Sequence, residues 1–139
     1  MRRRRSYDGP TDRQIDASQR RIAVVLEPSE DEIQAAVLDH WRAAGIPGSL
    51  VAAIPNAGAL GQPGLTAGLP DLLVMSPKLG ARTLFLELKR AGRRSEKFGG
   101  LSGDQREFRL LCESLNVPHF VAYGRDEPIA VLRAWGAIR

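Results

Sequence analysis

The sequence has few residues of the types that form disulfides and zinc sites. Its 139 residues include one cysteine, Cys112, and two histidines, His40 and His119. A single cysteine excludes an intrachain disulfide and a cluster of thiolate ligands, and it favours a reducing compartment. Cys112 shares a helical stripe with Leu111 and Leu115, so we expect a core residue rather than a nucleophile. For both histidines we expect structural roles.

Residues 43–70 contain no charged side chain, but they contain six glycines and four prolines. The length of this stretch is sufficient for a membrane span, but its glycines and prolines rule out a continuous bilayer helix. The RRRR near the start resembles the beginning of an export signal, yet polar residues follow where an apolar stretch is required. We therefore expect a protein that is neither secreted nor membrane-bound. It would be intracellular, in the cytoplasm or, for a viral source, in the host cytoplasm.

The positive charge is concentrated at the start of the chain. Residues 1–26 hold seven arginines and three aspartates, so they account for the whole net charge of +4. A basic arm on a neutral body suits a polyanion such as nucleic acid, although a solvated terminus without a partner fits equally well. We divide the chain into a basic arm, 1–27, and a single domain, 28–139. The arginines expected to contact such a polyanion are Arg2, Arg3, Arg4 and Arg5.

Hydrophobic patterning predicts an α-β-β-β-α-β order followed by a short terminal helix. Ser29 is a suitable N-cap for EDEIQAAVLDHWRAAG, and Gly45 ends that helix. SLVAAIP, LPDLLVMS, RTLFLELKR and VPHFVAYG are expected strands, and LSGDQREFRLLCESL is the second helix. PKLGA is expected to form a hairpin turn, and residues 91–101 a basic loop. The pattern predicts an α/β fold.

The strand LFLELKR carries two charges among apolar residues. Its three leucines share one face of an extended chain, and Glu87 and Lys89 share the other. If the second and third strands pair around a turn centred on Leu79, Asp71 lies opposite Glu87, with Cβ atoms roughly 4.5–5.5 Å apart. Two carboxylates this close repel unless a cation joins them, and oxygen ligands favour Mg²⁺ or Mn²⁺.

Other interpretations of these residues remain open on spacing alone. A register slip of one residue would put Asp71 on the wrong face of its strand. Pro-Asp is also a common turn dipeptide, and Glu87 with Lys89 could be an exposed ion pair on an edge strand.

Several short motifs in order resemble a nuclease family. Pro70-Asp71 followed by Glu87-Leu88-Lys89 resembles the PD-(D/E)xK signature. EDEIQ, IPNAG, GLPDLLV, LFLELKR and LSGDQ follow one another as in the VRR-NUC branch, the virus-type replication-repair nucleases. The resemblance covers roughly residues 28 to 124. It implies a restriction-endonuclease-like core, with a central mixed sheet flanked by helices.

The resemblance also implies roles for individual residues. Asp71, Glu87 and the backbone carbonyl of Leu88 would hold the metal. Glu30 would be an additional acidic residue near the metal or its water; Glu32 competes for this role, but Glu30 lies on the inward stripe of the helix. Lys89 would hold the scissile phosphate or the attacking water.

Further polar residues match positions around such a site. Gln34, Asn56 and Gln105 match amide positions that could orient the phosphate or the ligand carboxylates, although Gln105 also fits a capping box with Ser102. The loop after Lys89 is longer than is usual in the family. Its basic residues are expected to contact DNA or simply to be solvated; they are Arg90, Arg93, Arg94 and Lys97.

The function implied is that of a Mg²⁺-dependent endodeoxyribonuclease, with Mn²⁺ as a substitute ion. Resemblance to Holliday-junction resolvases implies a homodimer that acts on branched or four-way DNA, because a twofold protein matches a twofold substrate. The alternatives are a flap, nicking or restriction-type endonuclease, or a noncatalytic DNA-binding subunit on the same fold.

Overall fold

The computed structural model describes residues 27–55, 63–80 and 82–139. The residues predicted in the basic arm, Arg2 to Arg5, and Asn56 lie outside these ranges. Within these ranges, three α-helices and four strands follow one another in the predicted order. They are α1 (Glu30–Ala44), β1 (Leu50–Ala53), β2 (Leu72–Met75), β3 (Leu84–Lys89), α2 (Gly103–Ser114), β4 (His119–Tyr123) and α3 (Asp126–Ala134).

The four strands form one mixed sheet in the order β1-β2-β3-β4. The first three strands are antiparallel, whereas β4 runs parallel to β3. Leu72 pairs with Leu86 and Val74 with Leu84, which is the register predicted from the sequence. Because β3 is an internal strand, the alternative of an ion pair on an edge strand is wrong.

The leucine face of β3 forms the centre of the core. Leu84, Leu86 and Leu88 have no exposed surface, and Ile33 and Val37 of α1 belong to the same buried cluster. Burying one such side chain stabilises the fold by about 2 kcal/mol. Buried residues of α3 also belong to the cluster, so the leucines hold β3 firmly between its neighbours.

Helix α2 lies against the opposite face of the sheet. Phe108 packs edge-to-face on Phe85 of β3, with ring centroids 5.2 Å apart. Cys112 is buried, as predicted, but Leu111 and Leu115 are 51% and 64% exposed, so the predicted apolar stripe is wrong at these two residues. Leu111 lies about 100° around the helix from Cys112, and Leu115 follows the last helical residue.

The connections contain short 3-10 helices where the sequence predicts a turn and a loop. Pro77–Leu79 lies between β2 and β3, and Ala91–Ser95 and Lys97–Gly100 lie between β3 and α2. Within the described ranges, no helix combines the length and the apolar character that a bilayer crossing requires.

Candidate active site

Two carboxylates lie where β2 begins and where β3 ends. Asp71 directly precedes β2, and the strand register places it opposite Glu87. The backbone N–H of Leu88 donates to Oδ2 of Asp71 at 2.7 Å, and the backbone N–H of Ile54 donates to the Asp71 carbonyl at 2.9 Å. Asp71 is therefore held by the strands on both of its sides.

Burial makes this pair of carboxylates hard to ionise together. Glu87 is only 3% exposed, and its burial and the nearby charge of Asp71 raise its pKa to about 9, against a smaller opposing effect of Lys89. Burial also raises the pKa of Asp71, although the hydrogen bond from Leu88 opposes that shift. A divalent cation between the two groups would remove this repulsion.

Lys89 brings a buried ammonium group to the same side of β3. Its side chain follows Glu87 by two residues, and it is 4% exposed. Nζ lies 3.6 Å from Oε1 of Glu87 and 4.0 Å from Oε1 of Glu30. A buried positive charge beside the carboxylates can bind an anionic group that enters the site.

Glu30 reaches this cluster from the first residue of α1. Ser29 caps the helix by accepting a hydrogen bond from the backbone N–H of Glu32, and the Glu32 side chain is exposed. Oε1 of Glu30 accepts a 3.2 Å hydrogen bond from Nη1 of Arg93. Between the two competing glutamates, the helix start therefore directs Glu30, not Glu32, toward Lys89.

Gln105 connects α2 to the carboxylates. Its side chain accepts from the backbone N–H of Ser102 at 2.9 Å, while Ser102 accepts from the backbone N–H of Gln105, which completes a capping box. The amide nitrogen of Gln105 also donates to Oε1 of Glu87 at 3.0 Å. The two interpretations of Gln105 from the sequence are thus compatible.

A cavity of about 340 Å³ opens over these groups, and Glu30, Asp71, Glu87 and Gln105 line it. Gln34, which is half-buried on α1, is not among the residues that line it in the described part of the chain. Neither His40 nor His119 lines it, and their structural roles stay a prediction.

Sequence reasoning missed the loop that forms one wall of the cavity, including Thr66 and Gly68. Gly68 has φ +86°, and a Cβ atom there would collide with the backbone of Asp104 at the start of α2. Only glycine allows this approach. The glycine-rich, uncharged composition of the segment was the one available signal, and it does not identify the neighbour.

A divalent ion would find only part of its coordination shell in the protein. Across residues 27–55, 63–80 and 82–139, no three His, Cys, Asp or Glu side chains converge closely enough to hold an ion by themselves. Asp71, Glu87 and the Leu88 carbonyl offer oxygen donors, which is the chemistry that Mg²⁺ prefers, and Mg²⁺ usually keeps several waters. The donor set fits such an ion.

Arg93 turns toward the site from the long connection after β3. Besides its contact with Glu30, its Nε donates to Oε2 of Glu96 at 2.9 Å. These two carboxylates raise its pKa further. Arg93 therefore already has two anionic partners in this structure.

The other basic residues of this connection lie in different surroundings. Arg94 pairs with Glu127 and stacks on the ring of Tyr123, with its guanidinium carbon 4.5 Å from the centroid. Lys97 lies near the ring of Phe98, and Arg90 borders a shallow depression beside α1. Contact of these residues with DNA stays a prediction.

Two solved structures share this fold. One, described as "VRR_NUC domain protein", aligns with a TM-score of 0.61 and 25% identity over 78% of this chain and 88% of its own. Another, described as "VRR_NUC domain", aligns with a TM-score of 0.52 and 20% identity over 75% of this chain and 94% of its own. No protein-family model and no curated protein matches the sequence. The predicted restriction-endonuclease-like α/β core is confirmed, and so is the resemblance seen in the short motifs: the chain is similar in fold to a solved VRR-NUC domain protein.

Proposed function

We propose that this chain is a Mg²⁺-dependent endodeoxyribonuclease that hydrolyses DNA phosphodiester bonds. The observation that carries the proposal is the arrangement of Asp71 opposite Glu87, with the buried ammonium of Lys89 3.6 Å from Glu87. This combination supplies anionic ligands and a phosphate-binding cation at one position. The nuclease-type fold supports the same conclusion.

Asp71, Glu87 and the backbone carbonyl of Leu88 would hold the ion, and Mn²⁺ would substitute for Mg²⁺. When bound, such an ion polarises the phosphoryl oxygen, lowers the pKa of a water and stabilises charge on the leaving 3′ oxygen. The N–H of Leu88 fixes one oxygen of Asp71, and Gln105 fixes one oxygen of Glu87. Both ligands are thereby oriented before substrate arrives.

Lys89 would bind the scissile phosphate and offset the negative charge that grows on its oxygens. It is buried among residues that hold its side chain, so little ordering is needed when DNA binds. Glu30 would orient a water near the ion, because it shares the cavity with Asp71 and Glu87. Gln34 and Asn56 would act further from the reacting atoms.

The substrate we propose is branched DNA, with a four-way junction as the first candidate. A junction presents two equivalent strands, so a homodimer would cut both. The arm with Arg2, Arg3, Arg4 and Arg5 would bind phosphates without reading base sequence, together with the basic connection of Arg90, Arg93, Arg94 and Lys97.

The test is cleavage of a synthetic four-way junction with Mg²⁺ or Mn²⁺ by the wild type and by Asp71→Ala. We expect nicks from the wild type and none from the variant, with binding retained by both. Wild-type binding without cleavage under either ion would refute the nuclease and favour a noncatalytic DNA-binding subunit. Equal cutting of duplex and junction would refute only the junction preference, and favour a nicking or restriction-type enzyme.

The proposed arm has its own test. Replacing Arg2 to Arg5 with serine should weaken binding and flatten the dependence of the logarithm of affinity on the logarithm of salt concentration. An unchanged slope would show that these arginines do not contact phosphates. Sedimentation of the wild type at micromolar concentration would test the homodimer directly.

A further inference from the structure

The connection between β3 and α2 presents an aromatic side chain on an unusual backbone. Phe98 has φ 57° and ψ 25°, and it is 52% exposed. Bulky residues rarely adopt this left-handed conformation. Gly99 and Gly100 continue it, with φ 62° and 76°. An unfavourable backbone conformation that exposes an apolar ring to solvent points to a functional role for the ring.

The turn that carries Phe98 is fixed to the rest of the domain. The hydroxyl of Tyr123 donates to the carbonyl of Gly99 at 2.8 Å, and the N–H of Gly99 donates to the carbonyl of Glu96 at 3.0 Å. A Cβ atom at residue 99 would collide with the Tyr123 hydroxyl. These contacts fix the backbone immediately after Phe98.

Cations lie close to the exposed ring. The guanidinium of Arg106 lies over one face of the Phe98 ring, with its carbon 3.7 Å from the centroid, so a base would stack on the opposite face. Nζ of Lys97 is 5.1 Å from the centroid. Nε of Arg106 is buried and has no hydrogen-bond partner among the described residues. An aromatic face with adjacent cations is the combination that binds a base and its phosphate in single-stranded nucleic acid.

Three depressions that share lining residues form a track from the carboxylates to this ring. The catalytic cavity shares Ser102 and Gln105 with a cavity of about 480 Å³ beside Lys89. That second cavity shares Leu101 with the depression beside Phe98. The cations along the second cavity and the depression outnumber Glu96 and Glu113, although Lys89, Arg93 and Arg109 also pair with carboxylates. Lys97 and Arg106 lie nearest the ring. The negatively charged phosphodiester backbone of DNA is complementary to these cations.

We infer that Phe98 is a stacking platform for an unpaired base of a DNA strand whose backbone follows this track. The inference rests on the proposed function and names the feature by which branched DNA is selected. In a fully paired duplex each base already stacks on its neighbours, so Phe98 adds no binding free energy. Next to a branch or flap, an unstacked base can lie on Phe98 at little cost.

The experiment compares two DNAs that differ only in unpaired nucleotides: a duplex with a short single-stranded flap and the same duplex fully paired. All proteins are full chains that carry Asp71→Ala, and dissociation constants are measured by fluorescence anisotropy. Phe98→Ala should weaken flap binding about 10-fold and leave duplex binding unchanged, since one base stack is worth roughly a factor of 5 to 150.

Matched variants separate aromatic stacking from apolar contact. Phe98→Trp should keep the flap preference, whereas Phe98→Leu should lose it while keeping apolar bulk. Leu115→Ala, which removes an exposed apolar side chain at the far end of α2, should change neither constant. A 2-aminopurine base in the flap should be quenched by the Phe98 protein and not by the Phe98→Leu protein.

Three results would overturn the inference: equal affinities of all Phe98 variants for the flap, equal weakening on both DNAs, or conversion of a dimer to monomers by Phe98→Ala in sedimentation. The last result would place the ring in a protein interface. If a thermal melt shows that Phe98→Ala is not folded, the comparison of Phe98→Trp with Phe98→Leu decides whether the inference holds. Cleavage is not measured, so a wild type that cuts nothing would refute the proposed function without deciding this inference.

Discussion

The backbone N–H of Leu88 donates a 2.7 Å hydrogen bond to Oδ2 of Asp71. The residue between Glu87 and Lys89 thus holds the carboxylate of the neighbouring strand, while its own leucine side chain is buried in the core. One peptide unit of β3 joins the packing of the domain to the geometry of the site.

Asp71→Asn should impair metal binding and leave the fold intact. An amide oxygen can still accept the hydrogen bond from Leu88, so the melting temperature should stay within a few degrees of the wild type. Loss of an anionic metal ligand should lower the cleavage rate by about 10³-fold or more. Thermal melts and single-turnover cleavage with Mg²⁺ measure the two effects. An Asn variant that cleaves at the wild-type rate would remove Asp71 from the site.

Glu87→Gln should change how stability depends on pH. In the folded, metal-free protein, burial and the nearby charge of Asp71 raise the pKa of Glu87 to about 9, above its ordinary value of 4.5. The folded state therefore binds a proton that the unfolded chain has lost, and the free energy of unfolding falls as pH rises between these values. Urea unfolding in EDTA at pH 7 and 8.5 should show this fall in the wild type and a smaller fall in the variant.

The same substitution should stabilise the metal-free protein at pH 8.5, by about 1 kcal/mol or more, because a pKa unit corresponds to about 1.4 kcal/mol. Glu113→Gln, on the exposed side of α2, is the matched control and should leave the pH dependence unchanged. An identical slope for wild type and Glu87→Gln would mean that burial does not affect this carboxyl.

Gln105→Glu and Gln105→Ala should have different effects. Glutamate keeps the capping-box acceptor for Ser102 but cannot donate to Glu87, so cleavage should fall while α2 keeps its cap. Alanine loses both contacts and should also lower the free energy of unfolding by about 0.5–2 kcal/mol. Urea unfolding and cleavage rates distinguish the two. Equal cleavage by all three proteins would show that the amide does not position Glu87.

Arg93→Ala should lower the Mg²⁺ concentration needed for half-maximal cleavage, by about threefold. Arg93 pairs with Glu30 at 3.2 Å, and an ion or its water must compete for that carboxylate. Arg94→Ala is the control, because Arg94 pairs with Glu127 instead. A Mg²⁺ titration of cleavage measures the change. If both variants shift the titration equally, general loss of positive charge is the cause.

The order of elements and the strand register could be predicted because they depend on local patterns. A strand of period two with leucines on one face has one favourable register, and a mismatch by one residue would bury charges among the leucines. The sequence correctly predicts that Glu87 and Lys89 lie on the opposite face of the strand. It does not predict how deeply they are buried, because their burial depends on α2 and on the long connection that cover them.

Contacts between distant segments could not be predicted. The ion pair of Arg93 with Glu30 joins residues 63 positions apart. It depends on the 3-10 turns of Ala91–Ser95, for which the sequence predicts only a loop. The approach of Gly68 to Asp104 is of the same kind. Leu111 was misplaced because periodicity gives the direction of a side chain and not whether a neighbouring element covers it.

Gln105 fixes the residue at which α2 must begin for the site to form. The same side chain marks where the helix begins and reaches the carboxylate on β3. If the helix started one residue earlier or later, the residue in the capping position would point about 100° away from Glu87. Insertions in the connection before Ser102 can therefore vary in length, but the spacing from Ser102 to Gln105 cannot.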